Sequence, residues 1–235
     1  LAYIASIEEL AKHCSTTSVM LSDHHSLGAF PISEFGTEEQ KQKYLVPLLK
    51  GEKLGAFAVT EPSAGSDLGN QKTTAVDKGD YWLLNGAKIF ITNGFYADTY
   101  FVTAVTDKSQ RNRGISAFIV EKGTPGFTFG TKEKKMGIRG SATYELVFQD
   151  CKIPKENLLG ELGKGFKMAL ITLDGGRIGV AAQALGIAQS AIDHCKKYVT
   201  EHMQGDQRIS QYQFTQFELA DMQTRVDAAR LLVYR

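Results

Sequence analysis

Hydrophobic positions recur at helical spacing in the early part of the chain. Ile4, Ile7 and Ala11 would lie on one face of an amphipathic helix. Further along, Thr37 is followed three residues later by Gln40, which is the capping-box pattern that marks the start of another helix. These patterns predict a helical N-terminal domain over residues 1–53.

Helical periodicity ends near residue 54, where short runs rich in β-branched and aromatic residues begin. Asn85–Gly86 is a preferred two-residue hairpin connection and predicts a turn between two of these runs. Strands joined by short turns without intervening helices are typical of an antiparallel barrel or sandwich. We therefore expect a barrel-like middle domain over residues 54–155. The predicted strands are 54–60, 71–77, 80–85, 87–92, 99–106, 115–121 and 143–149.

Residues 156–235 return to a helical pattern. Closely spaced alanines would allow helices to pack tightly there, namely Ala181, Ala182, Ala184, Ala188 and Ala191. The sequence thus predicts the α+β class, with a helical N-terminal part, an antiparallel β-barrel-like middle domain and a helical-bundle C-terminal part. Both ends of the chain fall inside predicted helices, so we expect the natural polypeptide to be longer.

Composition narrows the class of protein. Hydrophobic residues make up 43% and charged residues 23% of the chain, as in soluble globular proteins. The net charge of +1 favours neither nucleic acid nor an anionic membrane, and no apolar run is long enough for a membrane span. His24 and His25 are adjacent and would point apart on a helix, and the cysteines are widely separated. We therefore expect no bound metal and a reducing compartment.

The stretch Ala56–Asp67 is the first candidate for function. Its apolar alternation stops at Pro62, which pushes Glu61 into an extended conformation. The small residues that follow, Ser63–Ser66, would present hydroxyls and free amides at the end of a strand, where binding residues are often found. Taken alone, the stretch is explained better as an ordinary polar turn.

Lys88–Gly94 is the second candidate. On a regular strand Phe90 and Thr92 would share one face, with the neighbouring isoleucines on the other. An aromatic ring beside a hydroxyl could pack on a planar cofactor and hydrogen bond to its polar edge. Taken alone, a core phenylalanine with a solvent-facing threonine explains the pattern better.

Asp174 and Arg177 form the third candidate, because residues three apart share a helix face. They could be an intrahelical ion pair, or a pair that contacts phosphate and ribose groups. The glycines between them cost about 1 kcal/mol each relative to alanine in a helix. Their presence indicates that something packs against the backbone at this point.

The order of these motifs along the chain resembles that of the acyl-CoA dehydrogenases, and the resemblance covers essentially all 235 residues. Leu173–Gly179, followed by Gln183–Gln189, is most similar to the short-chain, butyryl-CoA type. The segments that carry the resemblance are Val59–Asp67, Asn85–Gly94, Gly137–Ser141, Ile153–Gly160 and Asp174–Arg177.

The resemblance implies FAD as cofactor and an acyl-CoA as substrate. The substrate-binding residues implied are Ser66, Asp174, Gly175, Gly176 and Arg177. Gln213 would contact FAD across a subunit boundary. The other cofactor-binding residues implied are Phe57, Ala58, Val59, Thr60, Glu61, Pro62, Ser63, Ala64, Gly65, Ser66, Phe90, Ile91 and Thr92.

The reaction implied is α,β-dehydrogenation of a short-chain acyl-CoA to trans-2-enoyl-CoA, as in fatty-acid β-oxidation. A carboxylate removes the α proton while the β hydrogen leaves as hydride. The resemblance also implies an electron-transferring flavoprotein as acceptor and a homotetramer. It places the protein in the bacterial cytoplasm or the mitochondrial matrix.

Two positions depart from the family pattern. Some members carry the catalytic glutamate where this chain has Gly176, and most carry it on a later helix, so we expect the base beyond Arg235. His202 stands where an arginine usually meets the FAD of a neighbouring subunit, and a neutral imidazole is a poorer partner for pyrophosphate. Two alternatives stay open: a catalytically incompetent FAD/CoA-binding or assembly subunit, and a related flavin oxidase or monooxygenase.

Overall fold

The computed structural model describes residues 1–235. The chain divides into two compact units, and each is described by itself. One unit is Met20–Gly176, and the other consists of Leu1–Val19 together with Arg177–Arg235. The predicted division into domains at residues 53 and 155 stays a prediction.

Helices occupy both ends of the chain, so the predicted α+β class is confirmed. None of them is both long enough and apolar enough to cross a membrane. Between α2 and α3 the chain forms wider π-helical turns over Asp23–Ala29, and further π-helical turns over Lys41–Leu45 join α4 to α5. The α-helices are α1 Ala2–His13, α2 Ser15–Ser22, α3 Phe30–Phe35, α4 Glu38–Gln40, α5 Val46–Leu49, α6 Gly165–Glu201 and α7 Gln213–Tyr234.

The middle of the chain forms an eight-stranded sheet in the order β6-β7-β3-β2-β4-β5-β8, with β1 paired to β4. Most pairings are antiparallel, as predicted, but β1 and β2 both run parallel to β4. Two short strands, β9 and β10, form a separate hairpin. The strands are β1 Gly55–Ala58, β2 Thr74–Asp77, β3 Tyr81–Thr92, β4 Thr99–Val105, β5 Ile115–Glu121, β6 Phe127–Lys132, β7 Thr143–Pro154, β8 Leu158–Leu159, β9 Met203–Gln204 and β10 Gln207–Arg208.

The predicted hairpin turn at Asn85–Gly86 is wrong, because both residues lie inside the continuous strand β3. Gly86 has a φ of +147° and sits at an irregularity in the pairing of β3 with β7. A Cβ atom there would lie 2.6 Å from the Cα of Thr73. The glycine therefore permits a close approach between backbones and does not mark a chain reversal. Strand β6 was missed by the sequence analysis.

Strands β4 and β5 are buried on both faces, which explains their nearly continuous apolar sequences. Alternate residues Tyr100 and Val102 of β4 pack into a cluster with Trp82 and Phe118. Phe101 points the other way, into a second cluster. That second cluster includes Ile32, Tyr44, Leu48, Met168 and Ala169 from helices that cover this face of the sheet.

The unit built from both chain ends is a small helical assembly. Glu8 of α1 is buried, and it accepts hydrogen bonds from Arg230 and Tyr234 of α7 at 3.1 and 2.7 Å. A side chain at Gly186 of α6 would collide with the backbone carbonyl of Glu8. The small residues predicted on α6 thus permit close packing against α1 in this unit.

His24 joins the helical segment to the first strand. Its Nδ1 accepts a hydrogen bond from the Gly55 amide at 3.0 Å, so Nε2 carries the proton and donates to the Leu48 carbonyl at 3.2 Å. Burial lowers the pKa of His24 below its ordinary value of 6.5, and the nearby His25 adds to this, although the Leu48 hydrogen bond opposes it. Both ring nitrogens are occupied by backbone groups, so His24 has a structural role.

Acid should weaken the contribution of His24 to the stability of the folded protein. A group whose pKa is lowered by folding stabilises the protein above its unfolded pKa, and this contribution is lost as the pH falls through the folded value. We expect His24→Asn to be less stable than the native protein by about 1–2 kcal/mol near neutral pH, with a difference that shrinks below about pH 6.5. Urea unfolding across this pH range measures the difference. His13→Asn, at an exposed position, serves as the control; a constant difference for His24→Asn would contradict the prediction.

Candidate functional site

The first candidate stretch lies at the end of β1. The side chains of Phe57, Ala58 and Val59 are buried, and the Phe57 ring stacks on Phe101 with centroids 4.9 Å apart. These three side chains therefore build the core. Any contact they make with a ligand would come from their backbone.

After β1 the chain forms a tight, closed turn. Glu61 and Ala64 exchange backbone hydrogen bonds of 2.9 and 3.0 Å, and Ala64 is buried. Pro62, Gly65 and Ser66 are exposed, while Thr60 and Ser63 are half-buried. A side chain at Gly65 would meet no atom within 4 Å. The outer surface of this turn is thus open and carries hydroxyls, as the sequence predicted.

Glu61 does not face that open surface. Its carboxylate is 3% exposed and lies 2.7 Å from the Nζ of Lys88, which is fully buried. It also accepts hydrogen bonds from the backbone amides of Lys72 and Thr73, at 2.6 and 3.2 Å. Any contact between Glu61 and a cofactor would therefore involve its backbone, because both carboxylate oxygens are engaged inside the protein.

The two charges set each other's ionisation. Burial alone would raise the pKa of the Glu61 carboxyl, but the charge and hydrogen bond of Lys88 and the amides of Lys72 and Thr73 outweigh it and hold that pKa below its usual range. Burial lowers the pKa of Lys88 to about 8, against the opposing effect of Glu61. At neutral pH the pair is ionised on both sides.

The second candidate segment lies directly beside the first. The amide of Ile89 in β3 donates to the carbonyl of Thr60 at 2.9 Å. Lys88, the residue before it, donates to the carbonyl of Val59 at 3.2 Å. The fold thus brings together two segments that are separated in the sequence.

The predicted alternation along this part of β3 is wrong. The pairing of β3 with β7 is irregular between Lys88 and Ile91, and Phe90 takes a left-handed conformation with φ of +59°. Its side chain is 58% exposed, whereas Ile91 is buried in the core and Thr92 is half-buried. A bulky residue in this conformation is strained. The bulge presents the Phe90 ring outward.

Ser141 is a further candidate, which the sequence patterns did not single out. It is 2% exposed, and its hydroxyl has no hydrogen-bond partner in the protein. The next residue, Ala142, accepts a backbone hydrogen bond from Asn93, which places Ser141 near the end of β3. Lys135 donates to the Ser141 carbonyl at 2.7 Å and to the Thr143 hydroxyl at 2.9 Å. An unsatisfied buried hydroxyl is costly, and a bound group could supply the missing partner.

The Asp174–Arg177 motif lies within the long helix α6, and Asp174, Gly175 and Arg177 are exposed. A side chain at Gly175 would meet no atom within 4 Å, while one at Gly176 would lie 2.8 Å from the side chain of Leu27. Leu27 therefore accounts for one of the two glycines. Nothing in the chain packs against Gly175, which leaves its backbone open to a ligand.

Two further residues lie in the unit formed by the chain ends. Gln213 is exposed at the start of α7. The ring of His202 stacks on Tyr198 with centroids 3.8 Å apart, and its Nδ1 lies 3.0 Å from the Tyr198 carbonyl. His202 is thus held against the end of α6.

The described residues offer no metal centre, because no group of three or more His, Cys, Asp or Glu side chains lies close enough to hold an ion. The groups on the turn after β1, on the bulge and near the end of β3 are of another kind. They are an outward aromatic ring, half-buried hydroxyls at Thr60 and Thr92, open backbone at Gly65, and the unpartnered hydroxyl of Ser141. Together they suit a flat organic group with a polar edge.

Comparison with protein families gives three matches that follow one another along the chain. Residues 1–52 match the acyl-CoA dehydrogenase N-terminal domain, residues 56–151 the middle domain, and residues 163–235 the C-terminal domain. The matched segments leave only short gaps between them.

Individual proteins agree with this assignment. A short-chain specific acyl-CoA dehydrogenase from Clostridium acetobutylicum is 54% identical over the whole chain. The structure of butyryl-CoA dehydrogenase from Megasphaera elsdenii is 57% identical, with a TM-score of 0.98 over 99% of this chain and 61% of that one. A structure described as the electron transferring flavoprotein of Acidaminococcus fermentans contains a chain 60% identical, with a TM-score of 0.97 over 98% of this chain and 61% of that one. The present chain spans 62% of the Clostridium protein.

Strain at Phe90 predicts an unusual order of stability among substitutions. At an ordinary strand position, alanine is favoured over glycine. At a left-handed position the order reverses, so Phe90→Gly should be more stable than Phe90→Ala by about 1 kcal/mol. Both variants lose the ring, so the comparison isolates the backbone, and urea unfolding measures it. At Val76, an exposed position of β2, the alanine variant should be more stable than the glycine variant. If alanine is also the more stable substitution at position 90, the backbone there is not strained.

Proposed function

The chain belongs to the acyl-CoA dehydrogenase family, and on that premise we propose that it forms part of a flavoenzyme that dehydrogenates short-chain acyl-CoA thioesters. The product would be the trans-2-enoyl-CoA. FAD is the proposed cofactor, and an electron-transferring flavoprotein is the proposed acceptor. The proposed assembly is a homotetramer in the bacterial cytoplasm or the mitochondrial matrix.

One observation carries the proposal. The turn that begins at Thr60 and the bulge at Phe90 lie side by side, because the Ile89 amide is hydrogen bonded to the Thr60 carbonyl at 2.9 Å. An exposed aromatic ring at this bulge can cover part of a planar ring system, which contributes about 0.5–1.5 kcal/mol beyond the area it buries. The hydroxyls of Thr60 and Thr92 can hydrogen bond to the polar edge of such a ring.

Residues of the chain would position the reactants. Bound FAD would supply the two-electron acceptor that takes up the β hydrogen as hydride. The backbone and hydroxyls of Thr60–Ser66 would orient the cofactor, and Ser66 would also meet the thioester arm. The Ser141 hydroxyl would gain its missing hydrogen bond from a group bound in this site. Asp174 and Arg177 would contact the CoA portion, where a guanidinium suits phosphate groups.

The proton acceptor is not Glu61. A general base must reach the proton that it removes with a free oxygen. Both oxygens of Glu61 are held by Lys88 and by the amides of Lys72 and Thr73. Gly176 has no side chain to serve instead. As the resemblance to the family implies, the carboxylate that removes the α proton is proposed to lie on a later helix, outside residues 1–235.

The function is tested on the native full-length protein. We expect it to bind FAD, and we expect butyryl-CoA to bleach the flavin absorbance under anaerobic conditions faster than octanoyl-CoA does. A protein that stays colourless with added FAD would refute the proposal. Binding without reduction would favour the non-catalytic subunit, and rapid reoxidation by oxygen with product bound would favour an oxidase.

Gly175 offers a test of the proposed CoA contact. A methyl group there enters open space, so Gly175→Ala should raise the free energy of unfolding by about 1 kcal/mol through helix propensity. The same methyl would obstruct a ligand that packs on the helix backbone. We expect the KM for butyryl-CoA to rise by about tenfold, which corresponds to about 1.4 kcal/mol.

A stabilised protein with an unchanged KM would show that Gly175 lies outside the substrate site. Gly176→Ala provides the contrast, because its methyl would meet the side chain of Leu27 and should therefore stabilise the protein less than the methyl of Gly175→Ala does.

A further inference from the structure

Lys88 is a buried charged residue, and the proposed function gives it no contact with FAD or with the substrate. Its side chain is fully buried, and its Nζ has four oxygen atoms within hydrogen-bonding distance. These belong to the Val59 carbonyl, Glu61, Gln71 and Thr103, at 3.2, 2.7, 2.9 and 3.4 Å. They come from the end of β1, the turn after it, the chain before β2, and β4. One ammonium group therefore connects four segments.

These contacts hold both ends of the segment that contains the candidate cofactor turn. Val59 and Glu61 stand at its start, and Gln71 stands at its end. Glu61 in turn accepts the amides of Lys72 and Thr73. Gln71 donates to the Leu68 carbonyl at 3.0 Å, so the contacts extend into the interior of the segment. The buried ion pair thus closes residues 60–72 into a loop from inside the protein, while two hydrogen bonds between Ser63 and Asn70, of 3.2 and 3.0 Å, join its exposed side.

Stability alone does not account for this pair. A buried ion pair is often no more stabilising than apolar side chains of similar volume, because both charges lose their hydration. What an apolar pair cannot do is fix the Val59 carbonyl and the two ends of the loop in one geometry. Lys88 also lies two residues before Phe90, so the same strand anchors the loop and carries the bulge.

We propose that Lys88 is a positioning residue: its ammonium, paired with Glu61, holds the loop of residues 60–72 against the Phe90 bulge in the geometry that receives FAD. The inference rests on the proposed function. It adds that the shape of the cofactor surface is set from inside the protein, by a residue that does not touch the cofactor.

The test removes the ion pair between Lys88 and Glu61 without leaving either charge unpaired. Lys88→Met alone would strand the Glu61 carboxylate in the interior and could unfold the protein. The double variant Lys88→Met with Glu61→Gln keeps an acceptor for the Lys72 and Thr73 amides and is expected to fold. Lys88→Gln with Glu61→Gln removes both charges but keeps hydrogen-bonding side chains, and is the milder second variant.

Hydrogen exchange of the FAD-free native protein is the primary measurement. In the double variant the amides of Glu61, Ala64 and Ile89 should exchange about tenfold faster or more, the effect of losing about 1.4 kcal/mol of local stability. Amides that pair β4 with β5, such as those of Tyr100 and Val120, should be unchanged. In the second measurement the affinity for FAD should fall by about tenfold, and the absorption bands of the bound flavin should shift.

A matched control uses the surface ion pair between Lys155 and Asp77. Lys155→Met with Asp77→Asn should alter neither exchange in the loop nor FAD affinity. The proposal is overturned if the double variant keeps native loop exchange and FAD affinity, or if exchange accelerates equally in β4 and β5. If the first double variant does not fold, Lys88→Gln with Glu61→Gln is compared by exchange of the same amides. A native protein that binds no FAD would refute the proposed function. Hydrogen exchange would still show whether the Lys88–Glu61 pair holds the loop of residues 60–72 in place.

Discussion

The Lys88 ammonium and the Glu61 carboxylate approach to 2.7 Å at a point where β1, β3 and β4 meet. Neither charge could remain in the interior alone, because an unpaired buried ion is strongly destabilising. Here the pair is completed by hydrogen bonds from two backbone amides and by three further oxygens around the ammonium. The geometry of the turn after β1 therefore depends on the assembled sheet. The turn cannot take this shape as an isolated peptide.

The sheet depends on the helices that bury one of its faces. Strands β4 and β5 carry apolar side chains on both faces, and such strands are stable only between two layers. The helical segment that covers one face is fixed at its junction with β1 by His24, whose two ring nitrogens bind backbone groups of Leu48 and Gly55. A chain of constraints thus runs from the helical layer through the sheet to the candidate site.

The features that could be predicted from the sequence are those set by local interactions. The capping box of Thr37 and Gln40 forms as expected, because its two hydrogen bonds join residues three apart. Most strands were located by their runs of β-branched and aromatic residues. Gly86 was misassigned because the partner that requires a glycine, Thr73, is distant in the sequence. The predicted orientation of the Phe90 side chain was wrong for a similar reason, since the bulge depends on pairing with the distant strand β7. Lys88 looks like a surface residue until its four partners are assembled around it.

Several costly features lie along the same stretch of the fold. Phe90 occupies a left-handed conformation, Ser141 buries an unpartnered hydroxyl, and Lys88 buries a charge. Each of these lowers the stability of the folded chain by itself, yet each lies in or directly behind the proposed cofactor surface. A bound planar cofactor would cover the exposed ring and could hydrogen bond to Ser141. Of these costs, binding could recover only that of the Ser141 hydroxyl. The strain at Phe90 and the buried charge of Lys88 persist with a ligand bound, and they instead hold the surface in one shape before binding.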